Sequence, residues 1–200
     1  MSVRPLDRSE LPRAAATLAL AFEDDPLFRF LLPDAATRPK WLRWITLHAL
    51  TESHSVGGAL TVEGGPDLGV VALTPPGTWP ISFGAQARAF TWPPGVPSAR
   101  LLRVGLAIES AILKLHPPGP HLYVYVLGVH PAQKGRGLGG TLLRHAAGLA
   151  REAGVVAHLE TSNPVNLSLY RKFGYEVREE LNLHGAPPVW TMTTAGPPPG

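Results

Sequence analysis

Two hundred residues, 44 % of them apolar, are enough to bury a substantial core. A formal charge of +3 with no block of like charge argues against a nucleic-acid partner, and no apolar run is long enough for a membrane span. The absence of cysteine removes disulfides and any cysteine nucleophile and suits the cytoplasm; the eight histidines show no H-E-x-x-H or comparable spacing, so no metal is indicated.

Taken in chain order, Val3–Leu6 reads as a short strand. Ser9 can cap a helix that carries Leu11, Ala14, Leu18 and Phe22 at spacings of three and four. The run Ala14–Phe22 is too short and too soon followed by acids to be a signal sequence. Asp25-Pro26 opens a short helix, Leu27–Leu32, and Arg38–His54 forms a longer one with Trp41, Trp44, Ile45, Leu47 and His48 near its apolar side. Ala59–Val62 and Leu68–Leu73 read as a hairpin. Trp79–Pro97 is irregular, with a short helix around Gly84–Phe90 and large aromatics at Trp79, Phe83, Phe90 and Trp92 that a solvated loop would not carry. Ala99–Leu115 is a strongly periodic helix ended by His116-Pro117-Pro118-Gly119.

The next stretch organises the rest. LYVYVLGVHP (Leu122–Pro131) is a buried strand, Lys134–Gly140 a glycine-rich turn, Thr141–Glu152 a helix, and Val155–Ser162 a second strand. Val177–Leu183 and Val189–Thr193 are two final strands, and the proline-glycine tail at 196–200 has nothing to order it. With no internal repeat and no long linker, residues 1–195 read as one domain.

The turn holds Gly135, Gly137, Gly139 and Gly140 between a strand and a helix, a composition that costs chain entropy. In return, backbone N–H groups can approach a ligand with no Cβ in the way. The free N–H groups of the helix start, the positive end of its dipole, and the charges of Lys134 and Arg136 all favour an anion, most often phosphate. Gly135-x-Gly137-x-x-Gly140 also fits the dinucleotide fingerprint, with Glu160 about 20 residues on. Against that reading, no series of strand-helix repeats precedes the turn and too little chain follows it. A P-loop fails because no Gly-Lys-Ser/Thr follows.

The residues after Glu160 carry a second pattern, Asn163 through Leu169-Tyr170-Arg171-Lys172-Phe173-Gly174-Tyr175. Together with Lys134-Gly135-Arg136-Gly137-Leu138-Gly139 it resembles the GNAT superfamily of acyl-CoA N-acyltransferases, in which a (Gln/Arg)-x-x-Gly-x-(Gly/Ala) turn cradles the pyrophosphate of coenzyme A. Lysine replaces the usual first residue; it keeps a donor but loses a planar one. The last eighty residues or so are most similar to the branch containing puromycin N-acetyltransferase, through Leu127-Gly128-Val129, Leu159-Glu160-Thr161-Ser162 and Pro188-Val189-Trp190-x-Met192.

The resemblance implies an α/β (α+β) fold. It would have a mostly antiparallel mixed sheet of about seven strands, splayed near Leu127 and flanked by helices, with the acetyl-CoA core at 121–177. It implies acetyl-CoA as cosubstrate and no metal. Main-chain groups of Leu127, Gly128 and Val129 would hold the pantetheine arm and polarise the thioester. Lys134, Gly135, Arg136, Gly137, Leu138, Gly139 and Gly140 would hold the pyrophosphate, and Asn163 would touch the coenzyme. Tyr170 matches the tyrosine beside the departing thiolate, a phenol able to donate until about pH 10.

Direct attack by an amine also needs a base. Glu160, which shares a strand face with His158 by alternation, is the first choice, and His121 the second. Trp92, Tyr123, Tyr125 and His121 are candidates for the acceptor pocket. The acceptor would be a small-molecule primary amine. A peptide N-terminus, or a non-catalytic acyl-CoA sensor that would not need Tyr170, stays open, as does a homodimer.

Overall fold

The computed structural model describes residues 2–81, 92–182 and 185–195. The described strands are β1 (Val3–Pro5), β2 (Ala59–Val62), β3 (Gly69–Thr74), β4 (Leu122–Val129), β5 (Ala157–Thr161), β6 (Tyr175–Leu181) and β7 (Val189–Thr194). They form one sheet in the order β1-β2-β3-β4-β5-β7-β6, antiparallel throughout except for β4 beside β5. The helices are α1 (Leu11–Ala21), α2 (Pro26–Leu31), α3 (Arg38–Ser55), α4 (Ala99–Leu115), α5 (Leu138–Glu152) and α6 (Pro164–Arg171).

Strand β3 explains why both sheet faces are covered. Its sequence, GVVALT, is apolar at successive positions, as a strand buried on both sides must be. Val70 and Ala72 face one way, packing with Leu11, Ala14, Ala15 and Leu18 of α1 and Leu50 of α3. Val71 and Leu73 face the other way, toward Leu142, Leu143 and Ala146 of α5. Each fully buried leucine in these layers contributes roughly 1.5–3 kcal/mol over an exposed one. Helix α1 comes so close to β4 that a Cβ at Gly128 would lie 2.8 Å from Leu18 Cδ2 and 2.9 Å from the Ala21 methyl. Glycine at 128 is therefore a packing requirement of the α1–β4 contact.

Two irregularities shape the middle of the sheet. β4 and β5 pair in register only at Leu122↔Ala157 and Tyr123↔His158, although both strands continue. The splay thus begins at Val124, earlier than the Leu127 read from sequence. On the other side of β4, the register with β3 steps from Ala72↔Val126 to Leu73↔Val124, so Tyr125 is the extra residue of a bulge.

Several local expectations are corrected. Asp7, not Ser9, precedes the first turn: its backbone N–H donates to Glu10 Oε2 at 3.0 Å, and Ser9 lies inside a 3-10 turn, Arg8–Glu10. Arg4 grips both Glu10 oxygens at 2.7 and 2.8 Å, and with the Asp7 N–H it pulls the carboxyl down to about 2. On α3 the expected Trp41, Ile45 and Leu47 do pack against the core, but the fully buried positions are Leu42, Thr46, Ala49, Leu50 and Ser53. Helix α5 starts at Leu138, three residues before Thr141, so Gly139 and Gly140 belong to its first turn. The helix read around Gly84–Phe90, the aromatics Phe83 and Phe90, and the tail at 196–200 lie outside the described residues.

Candidate active site

The splay leaves a chamber of about 230 Å³ between β4 and β5, closed on the outside by α1–α2, α3 and α6. Tyr123, Tyr125 and Leu127 line it from β4, Glu160 and Thr161 from β5, Tyr170 from α6, and Asp25 from the start of α2. Two larger depressions, one between β1 and α5 and one beside α2, hold none of these groups.

Glu160 is held through both of its oxygens. Tyr123 Oη donates to Glu160 Oε2 at 2.8 Å, and His158 Nε2 lies 2.7 Å from Oε1. Burial and the Glu160 charge drive the Tyr123 phenol well above its ordinary value, so it remains a donor. Tyr125 is raised too, first by burial and then by neighbouring carboxylates led by Glu52. Trp79 packs edge-on against Tyr123, with centroids 4.7 Å apart, and stacks on His116 at 5.0 Å. A carboxylate thus meets the chamber beside an aromatic wall, an arrangement able to receive an ammonium group.

Tyr170 is 8 % exposed. Burial and then the Asp25 charge push its phenol up to about 12, so it carries its proton at any ordinary pH. Asp25 caps α2 by accepting from the Leu27 and Phe28 N–H groups at 3.0 and 3.3 Å, and it accepts from Ser162 Oγ at 2.9 Å. Burial raises its carboxyl despite these bonds.

From the chamber, β4 runs on through Gly128 and Val129 toward the glycine turn. Gly135 and Gly137 have φ of 81° and 78°, where an L side chain is strained, and a Cβ on either would meet no atom of the described residues within 4 Å. The turn is open on that side, as an anion cradle has to be. Gly137 is the residue before α5, so the N–H groups of Leu138, Gly139 and Gly140 are the first-turn donors that have no acceptor within the helix. Lys134 and Arg136 are exposed on the same loop, and Arg136 pairs with Gln133 Oε1. Gly140 has another reason to be glycine: a Cβ would stand 2.7 Å from Phe173 Cζ.

The remaining candidates are placed differently. Asn163 caps α6, its Oδ1 accepting from the Val165 N–H at 3.1 Å, while Asn166 lines the chamber. His121 is buried behind the wall, its Nδ1 2.9 Å from the Gly119 carbonyl and its Nε2 2.9 Å from His116 Nδ1. Trp92 is 85 % exposed, at the edge of the undescribed stretch, and does not line the chamber. Sequence reasoning missed Asp25 and His116, and named Trp79 only among the aromatics of its segment. His116 ends α4, and no spacing links it to residues 158 and 160. Its proximity to Glu160, 3.5 Å from Nε2 to Oε1, exists only in the fold.

Residues 76–175, half of the chain, match the acetyltransferase (GNAT) family. Among curated proteins, the N-alpha-acetyltransferase RimI of Mycobacterium tuberculosis is 42 % identical over 68 residues, covering 34 % of this chain and 43 % of that protein. A mycothiol acetyltransferase of Mycobacterium sp. strain JLS is 35 % identical over 111 residues, covering 50 % of this chain and 36 % of that protein. The matches thus span less than half the length of these relatives. A solved structure from Corynebacterium glutamicum, described as histone acetyltransferase HPA2 and related acetyltransferase, superposes with a TM-score of 0.69 at 21 % identity over 99 % of this chain and 97 % of the other. The Drosophila melanogaster polyamine N-acetyltransferase does so with a TM-score of 0.60 at 22 % identity over 96 % and 98 %. At those identities the likeness is one of fold. The family match carries the conclusion that this chain belongs to the acetyltransferase (GNAT) family.

Proposed function

We propose that this chain transfers an acetyl group from acetyl-CoA to the primary amine of a small molecule by direct attack within a ternary complex. The observation that carries the reading is that Glu160 and Tyr170, a base and an acid, share one chamber with Leu127 at the splay of the sheet. Bound acetyl-CoA supplies the acetyl group and the thiolate leaving group. The open glycine turn fits its pyrophosphate: Gly135 and Gly137 leave space where a Cβ would stand, and the first-turn amides of α5 and the Lys134 charge favour an anion.

The chain's own groups divide the work. Main-chain groups of Leu127–Val129, freed on one side by the splay, orient the thioester carbonyl. Glu160 takes the proton that the amine loses as its nitrogen attacks. Tyr170 holds its proton at the departing sulfur and delivers it as the C–S bond breaks. The rest of the rate comes from holding amine and thioester together.

The chamber also favours the kind of acceptor. Its ionisable groups among the described residues are the carboxylates Asp25 and Glu160 and the tyrosine phenols, with apolar and aromatic side chains around them. That suits a cationic amine with an apolar body better than one bearing its own carboxylate. The structural neighbours include proteins described as agmatine and polyamine N-acetyltransferases.

A panel of polyamines, agmatine, arylalkylamines, amino acids and a short peptide, each with acetyl-CoA, tests the proposal. Released CoA can be read with a thiol reagent, since the protein has no cysteine. Turnover with carboxylate-free amines and intersecting double-reciprocal plots are expected. Acetyl-CoA binding without turnover on any amine would replace the enzyme with a binding module.

A further inference from the structure

Hydrogen-bond accounting behind Glu160 leaves a gap of definite character. The Gly119 carbonyl can only accept, so His121 Nδ1 carries a proton. Neutral His121 then offers a lone pair at Nε2, which takes the proton of His116 Nδ1 at 2.9 Å. His116 is left with a bare lone pair at Nε2, and this atom has no hydrogen-bond partner among the described residues. It faces Glu160 Oε1, another acceptor, at 3.5 Å, with side chains only 6 % and 9 % exposed. His158, 1 % exposed, reaches the same oxygen through Nε2 at 2.7 Å, and its Nδ1 has no partner among the described residues.

We propose that His116 Nε2, His158 Nε2 and a Glu160 oxygen form a site for one borderline divalent cation of the Zn²⁺ type. One ring nitrogen of each histidine and one Glu160 oxygen lie within 4.8 Å of one another. Two imidazoles and a carboxylate form a donor set that zinc accepts at about 2.0–2.2 Å each, with a water in the fourth place. Tetrahedral donors at that range stand about 3.3 Å apart, so the His116–Glu160 spacing already suits the ion. The His158–Glu160 hydrogen bond must open by roughly half an ångström, with the His158 proton passing from Nε2 to Nδ1. Either tautomer leaves one ring nitrogen of His158 unpaired, so that transfer trades one unmet group for another.

The supporting groups are in place as well. His121 orients His116 through its Nδ1, and Tyr123 holds the other Glu160 oxygen. The site rests on this geometry alone. Its consequence rests on the reading of Glu160 as base: a bound cation occupies the carboxylate that the incoming amine needs.

The test is calorimetric titration of the untagged full chain with Zn²⁺ alone, without acetyl-CoA. One ion per chain is expected. His121→Ala should weaken binding about 10- to 100-fold, and His116→Ala at least as much. His116→Asn, with circular dichroism of each variant, separates loss of a ligand from loss of fold, and His130→Ala, away from the site, should bind as wild type. No stoichiometric binding, or binding indifferent to His116 in a folded variant, overturns the site. Zn²⁺ should also raise the KM of the amine and leave that of acetyl-CoA alone. Binding lost with His116 but without inhibition would uphold the site and count against Glu160 as the base.

Discussion

From the last paired rung between β4 and β5, where Tyr123 sits opposite His158, the Tyr123 hydroxyl donates to Glu160 Oε2 at 2.8 Å, two residues further on, where the strands have parted. The bond fixes the carboxylate at the mouth of the splay. Tyr123→Phe should leave the apolar packing intact and lower kcat about tenfold, with the KM for acetyl-CoA unchanged. Glu160→Gln, which removes the proposed base, should cost about 10²–10⁴-fold. Steady-state kinetics on the best amine of the panel decide it; equal rates for both variants and wild type would take Glu160 out of the reaction.

Tyr170→Phe deletes one oxygen from a buried ring whose phenol is otherwise held protonated by burial and by Asp25. Turnover should drop by about 10²-fold or more, while the Kd for CoA stays within about twofold. If kcat does not move, Tyr170 is a core aromatic and the leaving sulfur is protonated by some other group, such as water.

Two glycines of the turn should fail in different ways. At Gly137 a side chain would enter the open space proposed for the pyrophosphate and strain a φ of 78°, so Gly137→Val should abolish the thermal shift given by CoA. At Gly140 a methyl group would press on the Phe173 ring from 2.7 Å. Gly140→Ala should therefore lower stability by about 1–3 kcal/mol and still bind CoA below its reduced Tm. Normal CoA binding by Gly137→Val would end the assignment of the cradle.

Much of this architecture was legible along the chain because its determinants are local. The apolar run in β3, the periodicity of α4 and α5, and the glycine turn each need only a few neighbouring residues to be recognised. Glu160 was found the same way, at the end of a strand with His158 two residues before it. What could not be read depends on distant packing. Asp25 looks like a helix cap, and is one, but only the fold brings Ser162 onto its other side. His116 looks like a helix stop until α4 carries it over β5. Gly128 looks like part of a coenzyme motif, and its closest demand comes from Leu18, more than a hundred residues earlier. Trp92 shows the converse: its bulk suggested a pocket, yet it lies at the surface, 85 % exposed.

Acid stability gives a test of the histidine cluster that needs no substrate. In the folded protein His116 stays neutral down to about 3, whereas its ordinary value is 6.5. His121 is shifted in the same direction by burial. The unfolded chain therefore binds more protons than the folded one between these limits, and stability must fall as pH drops through about 6.5 toward 3. Above that window the contribution is present in full. The Arg4–Glu10 pair acts lower, since its carboxyl moves from 4.5 to about 2 and loses its contribution only as pH falls through that range. Thermal melts at about pH 7.5 and pH 5.5 lie above that range, and comparison with a variant separates His116 from other groups such as Asp25, whose raised carboxyl acts in the opposite sense. The wild-type Tm should decline across this interval, and His116→Gln, which cannot titrate, should flatten the decline. An equal decline in both proteins would mean that His116 is hydrated and titrates near its ordinary value, and the buried lone pair beside Glu160 would no longer hold.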